Sequence, residues 1–244
     1  MAKLSEQEML EALKNFDTPS ITNVVATYPS NPLCLKLYEP WRQNWYTDTS
    51  LKCMYPEIGR LVGYAVTVVY GEPDPWYKGP TMRDLIAAMG QSKQPTVVVA
   101  KQVFGEDIKN KVGLAGGNMC GMFKAAGAVA FMSDGPSRDL DEVRPTGFQY
   151  MLTGVCAGHG DMAIHAINVP VNICGMDVAP GELIHMDENG ACKFPADRLE
   201  DVLNNVTQLQ KNEAASMGRV SSLKNAQEVL DWMDERAKQV VPEA

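Results

Sequence analysis

The sequence predicts one α/β domain, residues 1–244, with helical segments at both ends. Three apolar runs rich in β-branched residues, at 61–70, 96–100 and 128–133, have the composition and length of buried strands. Apolar residues at helical spacing occur between these runs and at both ends of the chain. We find no internal repeat and no convincing linker, so we expect the chain to fold as a unit with its core over about 15–215.

Helix boundaries are marked by capping residues. Ser5 and Glu8 form a capping box that predicts a helix over 6–16, and Thr18-Pro19 predicts a second short helix with proline at its first position. Ser221 or Ser222 is the expected cap of a last helix within 221–240. The remaining helices are expected at 80–90, 117–126, 196–216 and, briefly, from about Ser137.

Residues 28–60 form an irregular, aromatic-rich insertion with several prolines. Such a long loop is usually functional or a lid. We favour a flap that packs on the core or on a neighbouring subunit over one that contacts substrate. The stretch 147–194 is expected to alternate short strands with Gly/Pro turns.

Charge and cysteine usage restrict the function. The net charge is −8, with a pI near 5.0, which argues against general nucleic-acid binding and against a basic membrane anchor. The six cysteines contain no C-x-x-C pair, which favours free buried thiols in a reducing compartment. No signal peptide and no apolar run of ~18 residues is evident, so we expect a cytoplasmic protein.

A candidate site lies within 113–148. Gly116-Gly117 opens a helix, whose first N–H groups and positive dipole end suit a carboxylate or phosphate. Arg138-Asp139 follows the strand at 128–133, and strand ends of this kind meet in the ligand crevice of α/β sheets. These residues predict a crevice that holds an anion and a cation, although an exposed Arg-Asp pair is also typical of a solvated ion pair.

The same residues resemble a known family. Gly117, twenty further residues, Arg138-Asp139, two residues and Glu142 fit a G-x20-R-D-x2-E/D signature. The runs at 61–68, 127–135, 175–182 and 187–190 are similar to further motifs of the same family. The chain thereby resembles the regulator of ribonuclease activity A (RraA-like) family, which includes 4-hydroxy-4-methyl-2-oxoglutarate aldolases.

The resemblance implies a fold, an assembly and an activity. The expected fold is a swivelling β/β/α-type sandwich, assembled as a homotrimer or homohexamer with active sites at subunit interfaces. The implied activity is that of a class II aldolase or decarboxylase, which releases pyruvate or a related enolate product from a small anionic 2-keto acid. Non-catalytic protein-binding regulators also belong to the family, and a lyase acting on a sugar-derived acid is a further alternative.

The resemblance also implies residue roles. Asp139 matches the ligand of Mg²⁺ or Mn²⁺, and Arg138 matches the substrate arginine. The carboxylate-binding turn falls at Gly117, with the backbone amides of Asn118 and Met119. A glutamate contributed by the long helix of a neighbouring subunit matches Glu213.

One position departs from the aldolase pattern. Aldolases of the family carry an acidic residue where Gly117 stands, and Asp134, Asp141 or Glu142 are candidates to replace that carboxylate. His159 lies in a Gly-flanked loop and fits either a general acid or base or an exposed loop histidine. Cys120 follows the anion-binding turn, and we interpret it as a packing residue rather than a reactive thiol.

Overall fold

A computed structural model describes residues 4–29 and 31–240 as a mixed α/β fold with helices at both ends, which confirms the predicted class. In this part of the chain the helices α1 to α7 span Glu6–Leu13, Thr18–Val25, Met82–Gln91, Gly117–Ala125, Leu140–Val143, Leu199–Val220 and Ala226–Val240. The strands β1 to β10 span Lys52–Cys53, Leu61–Gly71, Thr96–Gln102, Ala128–Ser133, Gln149–Leu152, Ala163–Ile167, Val171–Ile173, Met176–Val178, Leu183–Asp187 and Gly190–Phe194.

Eight strands form one curled, nearly closed sheet in the order β1-β5-β4-β3-β2-β9-β10, with β6 also paired to β2. Its centre, from β2 to β5, is parallel. The long β2 has two antiparallel partners on its other side, β9 along its first half and β6 along its second.

The layers follow from the alternation of side chains along the strands. Val97 and Val99 of β3 pack in a cluster with the β7–β8 hairpin, whereas Val98 and Ala100 face the cluster that contains residues of α3 and α4. The hairpin, the curled sheet and the helices therefore make three layers, which confirms the β/β/α arrangement that the family resemblance implied.

A third apolar cluster holds the terminal helices against the sheet. It joins buried residues of α1, α2 and α6 to β9, β10 and the start of β2. The predicted apolar face of α6 is buried over the first half of the helix, at Leu199, Val202, Leu203, Val206 and Leu209, whereas no residue over 210–220 is buried. The capping box of Ser5 and Glu8 is confirmed.

The second helix begins at Thr18-Pro19 as predicted, but its cap differs, and two other predicted helix starts are wrong. Asp17, not Thr18, caps α2, so Pro19 occupies the second helical position. The short helix begins at Leu140 instead of Ser137, because Asp139 adopts a left-handed conformation (φ 62°, ψ 42°). The last helix occupies 226–240 rather than 221–240, since Ser221 ends α6 and the Asn225 side chain accepts the N–H of Glu228.

The described part of 28–60 is irregular apart from β1 and one turn of 3₁₀ helix, as predicted. Trp45 is buried and lies between Tyr38, which stacks on it at 5.5 Å, and Tyr46. Tyr55 is also buried, whereas Trp41 is exposed. Trp45 and Tyr55 thus pack on the core, whereas more than half of the described insertion is exposed. The interpretation of the whole segment as a flap stays a prediction.

All six cysteines are free thiols. Across residues 4–29 and 31–240, no helix combines the length and apolar character that a bilayer span requires.

Candidate functional site

A cleft of about 330 Å³ lies between the turn that opens α4 and the loop that follows β4. It brings together six of the site residues that the sequence predicted: Asn118, Met119, Arg138, Asp139, Glu142 and His159. Its walls consist of Gly113, Ala115, Gly116, Asn118, Met119, Arg138, Asp139, Glu142, His159 and Met162.

Backbone hydrogen bonds join the two loops that form this cleft. The N–H of Leu114 donates to the carbonyl of Pro136 at 3.0 Å, and the N–H of Arg138 donates to the carbonyl of Ala115 at 3.1 Å. The Tyr150 hydroxyl donates to the Arg138 carbonyl at 3.3 Å. The position of Arg138 is therefore fixed by main-chain contacts, while its guanidinium faces the cleft with 36% of the side chain exposed.

Asp139 is held against the first residue of α4. Its Oδ2 atom accepts the N–H of Gly117 at 3.0 Å and lies 3.5 Å from Nε of Arg138. The left-handed backbone at Asp139 turns the chain so that its carboxylate points back to Gly117 while α5 begins at the next residue. Asp139 thus joins the two loops through its side chain as well.

The first turn of α4 presents unpaired donors. Gly116 is the cap residue and offers no side-chain acceptor. The N–H groups of Asn118 and Met119 have no acceptor among the described residues, and both residues line the cleft. Free N–H groups at the positive end of a helix dipole favour an anion. The arrangement suits the carboxylate of a ligand.

Glu142 occupies the space above Gly117. A Cβ atom at position 117 would overlap the Glu142 carboxylate, with the carboxyl carbon only 3.4 Å away. Asp134 is engaged elsewhere, since it accepts the Gln102 N–H at 2.9 Å and pairs with Lys101, and Asp141 is absent from the cleft wall. Of the three candidates for the missing acid, Glu142 is the one that the fold brings to the site.

The donor chemistry fits a hard divalent cation held largely by water and ligand. Within the described residues, no group of three or more His, Cys, Asp or Glu side chains could hold a metal ion. The carboxylates of Asp139 and Glu142 both approach Gly117. Mg²⁺ needs only one or two carboxylates and keeps several waters, whereas structural zinc takes four protein ligands. The residues present therefore fit Mg²⁺ or Mn²⁺.

Two further predicted residues differ in their placement. His159 lines the cleft and is exposed, with Nδ1 3.1 Å from the carbonyl oxygen of Gly160. Glu213 is exposed on α6, and the wall of the cleft does not include it. Because that residue was expected to come from a neighbouring subunit, its role stays a prediction, as does that of His159.

Two buried groups are packing residues, and for Cys120 this is the predicted role. Cys120 is buried, its Sγ donates to the Tyr150 hydroxyl at 3.1 Å, and burial raises the pKa of its thiol to about 12. Burial lowers the pKa of His185 to about 4, and its ring contacts the Thr18 hydroxyl and the Leu13 carbonyl. The Cys120 thiol is therefore protonated near neutral pH and does not supply the thiolate that reactivity would need. His185 is fully buried and is not part of the cleft wall.

Sequence reasoning missed part of the cleft wall. Met162 lies opposite α4, and it borders a second, apolar cleft that includes Tyr70 and Met82. No motif or periodicity signals these residues, since their common feature is position in the folded chain.

The chain is similar in sequence to several known proteins over part of its length. The chain is 30% identical over 109 residues to a protein named putative 4-hydroxy-4-methyl-2-oxoglutarate aldolase from Halalkalibacterium halodurans, covering 44% of this chain and 52% of that protein. It is 26% identical over 148 residues to the uncharacterized protein MJ0644 of Methanocaldococcus jannaschii, covering 60% and 70%. A third match, 31% identical over 81 residues, covers 32% of this chain but 13% of the Legionella pneumophila protein DlpA.

Solved structures share the fold. An uncharacterized protein from Pseudomonas syringae pv. tomato superposes with a TM-score of 0.65 at 19% identity, covering 92% of this chain and 97% of that one. Streptomyces coelicolor RraAS2, described as an unusual member of the RNase ES inhibitor RraA family, gives 0.63 at 19% identity, covering 89% and 99%. The sequence profile of the RraA-like family, described as Aldolase/RraA, matches residues 36–192. This protein therefore belongs to the RraA-like family.

Proposed function

We propose that this protein is a lyase dependent on Mg²⁺ or Mn²⁺ that cleaves a carbon–carbon bond of a 2-keto acid and releases pyruvate or a related enolate product. The observation that carries the proposal is the convergence of Arg138, Asp139 and the open first turn of α4 in one cleft. The name of the Halalkalibacterium halodurans relative supports the same reaction class.

Each group has a separate task in this reaction. The N–H groups of Asn118 and Met119 bind the substrate carboxylate, and the Arg138 guanidinium donates to the keto oxygen, where negative charge develops as the bond breaks. Asp139 would hold the cation and Glu142 would support it beside Gly117; the bound cation would withdraw electron density from that oxygen as a Lewis acid. Fixing both ends of the keto acid aligns the scissile bond.

The reaction also needs proton transfer. In an aldol cleavage the hydroxyl on the leaving carbon loses its proton while the bonding electron pair moves to the enolate. His159 lines the cleft and is exposed, so it is our candidate to take that proton or to return one to the enolate carbon.

We propose in addition that the chain assembles as a homotrimer or homohexamer, with Glu213 of one subunit completing the cleft of the next. Glu213 is exposed on the 22-residue α6 and is therefore free to face a second copy.

The test is pyruvate release from 4-hydroxy-4-methyl-2-oxoglutarate and from oxaloacetate, coupled to lactate dehydrogenase. Activity lost with EDTA, restored by Mg²⁺ or Mn²⁺, and absent in Arg138→Ala and Asp139→Ala is the expected result. Arg144→Ala is the matched control, since Arg144 pairs with Glu57 outside the cleft and its loss is expected to leave turnover intact.

Negative outcomes separate the alternatives. Cation binding without pyruvate release from either compound would point to another substrate, such as a sugar-derived acid. Absence of both cation binding and turnover would refute the lyase and favour a non-catalytic, protein-binding regulator.

A further inference from the structure

An apolar cleft adjoins the proposed active site. It has a volume of about 290 Å³ and is bounded by the end of β2, the start of α3 and the start of β6. Its walls are formed by Tyr70, Gly79, Pro80, Thr81, Met82, Met119, Met162, Ala163 and Ile164. Met119 and Met162 also line the polar cleft that holds Arg138 and Asp139, so the two clefts share a wall.

The chemistry of the second cleft differs from that of the first. Charged side chains are absent from its described walls, and the Thr81 hydroxyl is already bonded to Asp84. The Tyr70 hydroxyl is buried and has no hydrogen-bond partner in the described chain. Such a space suits an apolar group, with at most one polar atom to meet Tyr70.

The size of the second cleft fits a ring. An apolar cavity of about 150 Å³ is enough to bind benzene, and this cleft is larger. The shared wall consists of two methionines, whose flexible thioether side chains adapt to ligand shape and contact aromatic rings favourably. A group attached to the reacting keto acid would reach this space past Met119 and Met162.

We infer that the substrate is a 2-keto acid with a bulky apolar substituent, of the size of a phenyl ring, and that this substituent lies in the second cleft. The inference rests on the proposed function, since the polar cleft must hold the keto acid end. Specificity then depends on residues such as Met82, which do not touch the reacting atoms.

Calorimetric binding of phenylpyruvate and pyruvate to the Mn²⁺-loaded protein tests the inference. Phenylpyruvate is expected to bind at least tenfold more tightly. Met82→Trp, which fills the second cleft, is expected to remove most of that preference and leave pyruvate binding unchanged. Met122→Trp is the matched control, because Met122 is exposed on α4 outside both clefts, and it is expected to keep the preference.

The outcomes keep the two proposals apart. Equal affinity for the two acids, or a preference that Met82→Trp leaves intact, overturns the apolar substituent even if Arg138→Ala abolishes binding of both. Binding that survives Arg138→Ala overturns the polar site instead, and with it the inference. Failure of the wild-type protein to bind either acid overturns both.

Discussion

Replacement of Gly117 by alanine tests whether Glu142 supplies the missing carboxylate. The added Cβ would overlap the Glu142 carboxylate, which lies where a side chain at position 117 would begin. Backbone strain is not the issue, because Gly117 lacks the positive φ that would exclude a side chain. The Glu142 side chain is exposed and flexible, so it is expected to rotate away from the cleft.

The expected loss of metal affinity follows from the displacement of the Glu142 carboxylate. A carboxylate that supports a metal site typically contributes about 10- to 100-fold to metal affinity or activity, which corresponds to about 1.4 to 2.7 kcal/mol. The free energy of unfolding is expected to change by less than about 1 kcal/mol, because alanine is a better helix former than glycine and the displaced side chain can reach solvent.

Gly121→Ala is the matched control. Gly121 lies in the same helix, and a Cβ there would meet nothing within 4 Å. This variant is expected to keep the wild-type affinity for Mn²⁺ and to gain up to about 1 kcal/mol of stability. Titration of Mn²⁺ by electron paramagnetic resonance, with urea unfolding alongside, measures both quantities.

A carboxylate exchange sharpens the test. Glu142→Ala is expected to weaken Mn²⁺ binding as Gly117→Ala does, and the double variant Gly117→Asp/Glu142→Ala to regain part of it. Wild-type affinity in Gly117→Ala and in Glu142→Ala would refute the assignment of Glu142.

Three other predictions concern the reaction, the assembly and the core. Arg138→Lys is expected to lose at least about 10²-fold in kcat/KM for pyruvate release, because a lysine cannot reproduce the directed donors of the guanidinium. Mixing the inactive variants Arg138→Ala and Glu213→Ala under subunit exchange is expected to restore measurable activity, and persistent inactivity would contradict a shared site. Since folding lowers the pKa of His185 from 6.5 to about 4, the unfolded chain binds more protons in that window, and stability is expected to fall by up to ~3 kcal/mol from pH 6.5 to 4. Urea unfolding against pH measures this slope, which His185→Gln is expected to flatten.

The fold was largely predictable because local signals and burial agree. The valine-rich run of β3 alternates between two apolar clusters, and the spaced leucines and valines of α6 all reach the core. One of the errors concerns a helix whose start is decided by the backbone conformation of a single residue. The left-handed conformation of Asp139 prevents α5 from beginning before Leu140. Aspartate adopts this conformation too seldom for it to be predicted from the sequence.

The site was only partly predictable. The spacing from Gly117 to Arg138 and Asp139 identified the residues that the fold brings together. The sequence left Asp134, Asp141 and Glu142 as candidates for the carboxylate next to Gly117. Which of them reaches Gly117 depends on the path of the chain after β4. Hydrogen bonds that engage Asp134 with Gln102 leave Glu142 as the one carboxylate of the three in the cleft.

On the proposed function, chemistry and substrate choice depend on different parts of this molecule. The reacting groups lie on two loops that main-chain hydrogen bonds hold together, so substitution of the surrounding side chains leaves that frame in place. The apolar cleft is formed instead by β2, α3 and β6, and it meets the loops only at Met119 and Met162. A change at Met82 can therefore alter which acid is accepted without moving Arg138 or Asp139. Substitutions in the apolar cleft could therefore change the accepted substrate while the reacting groups stay the same.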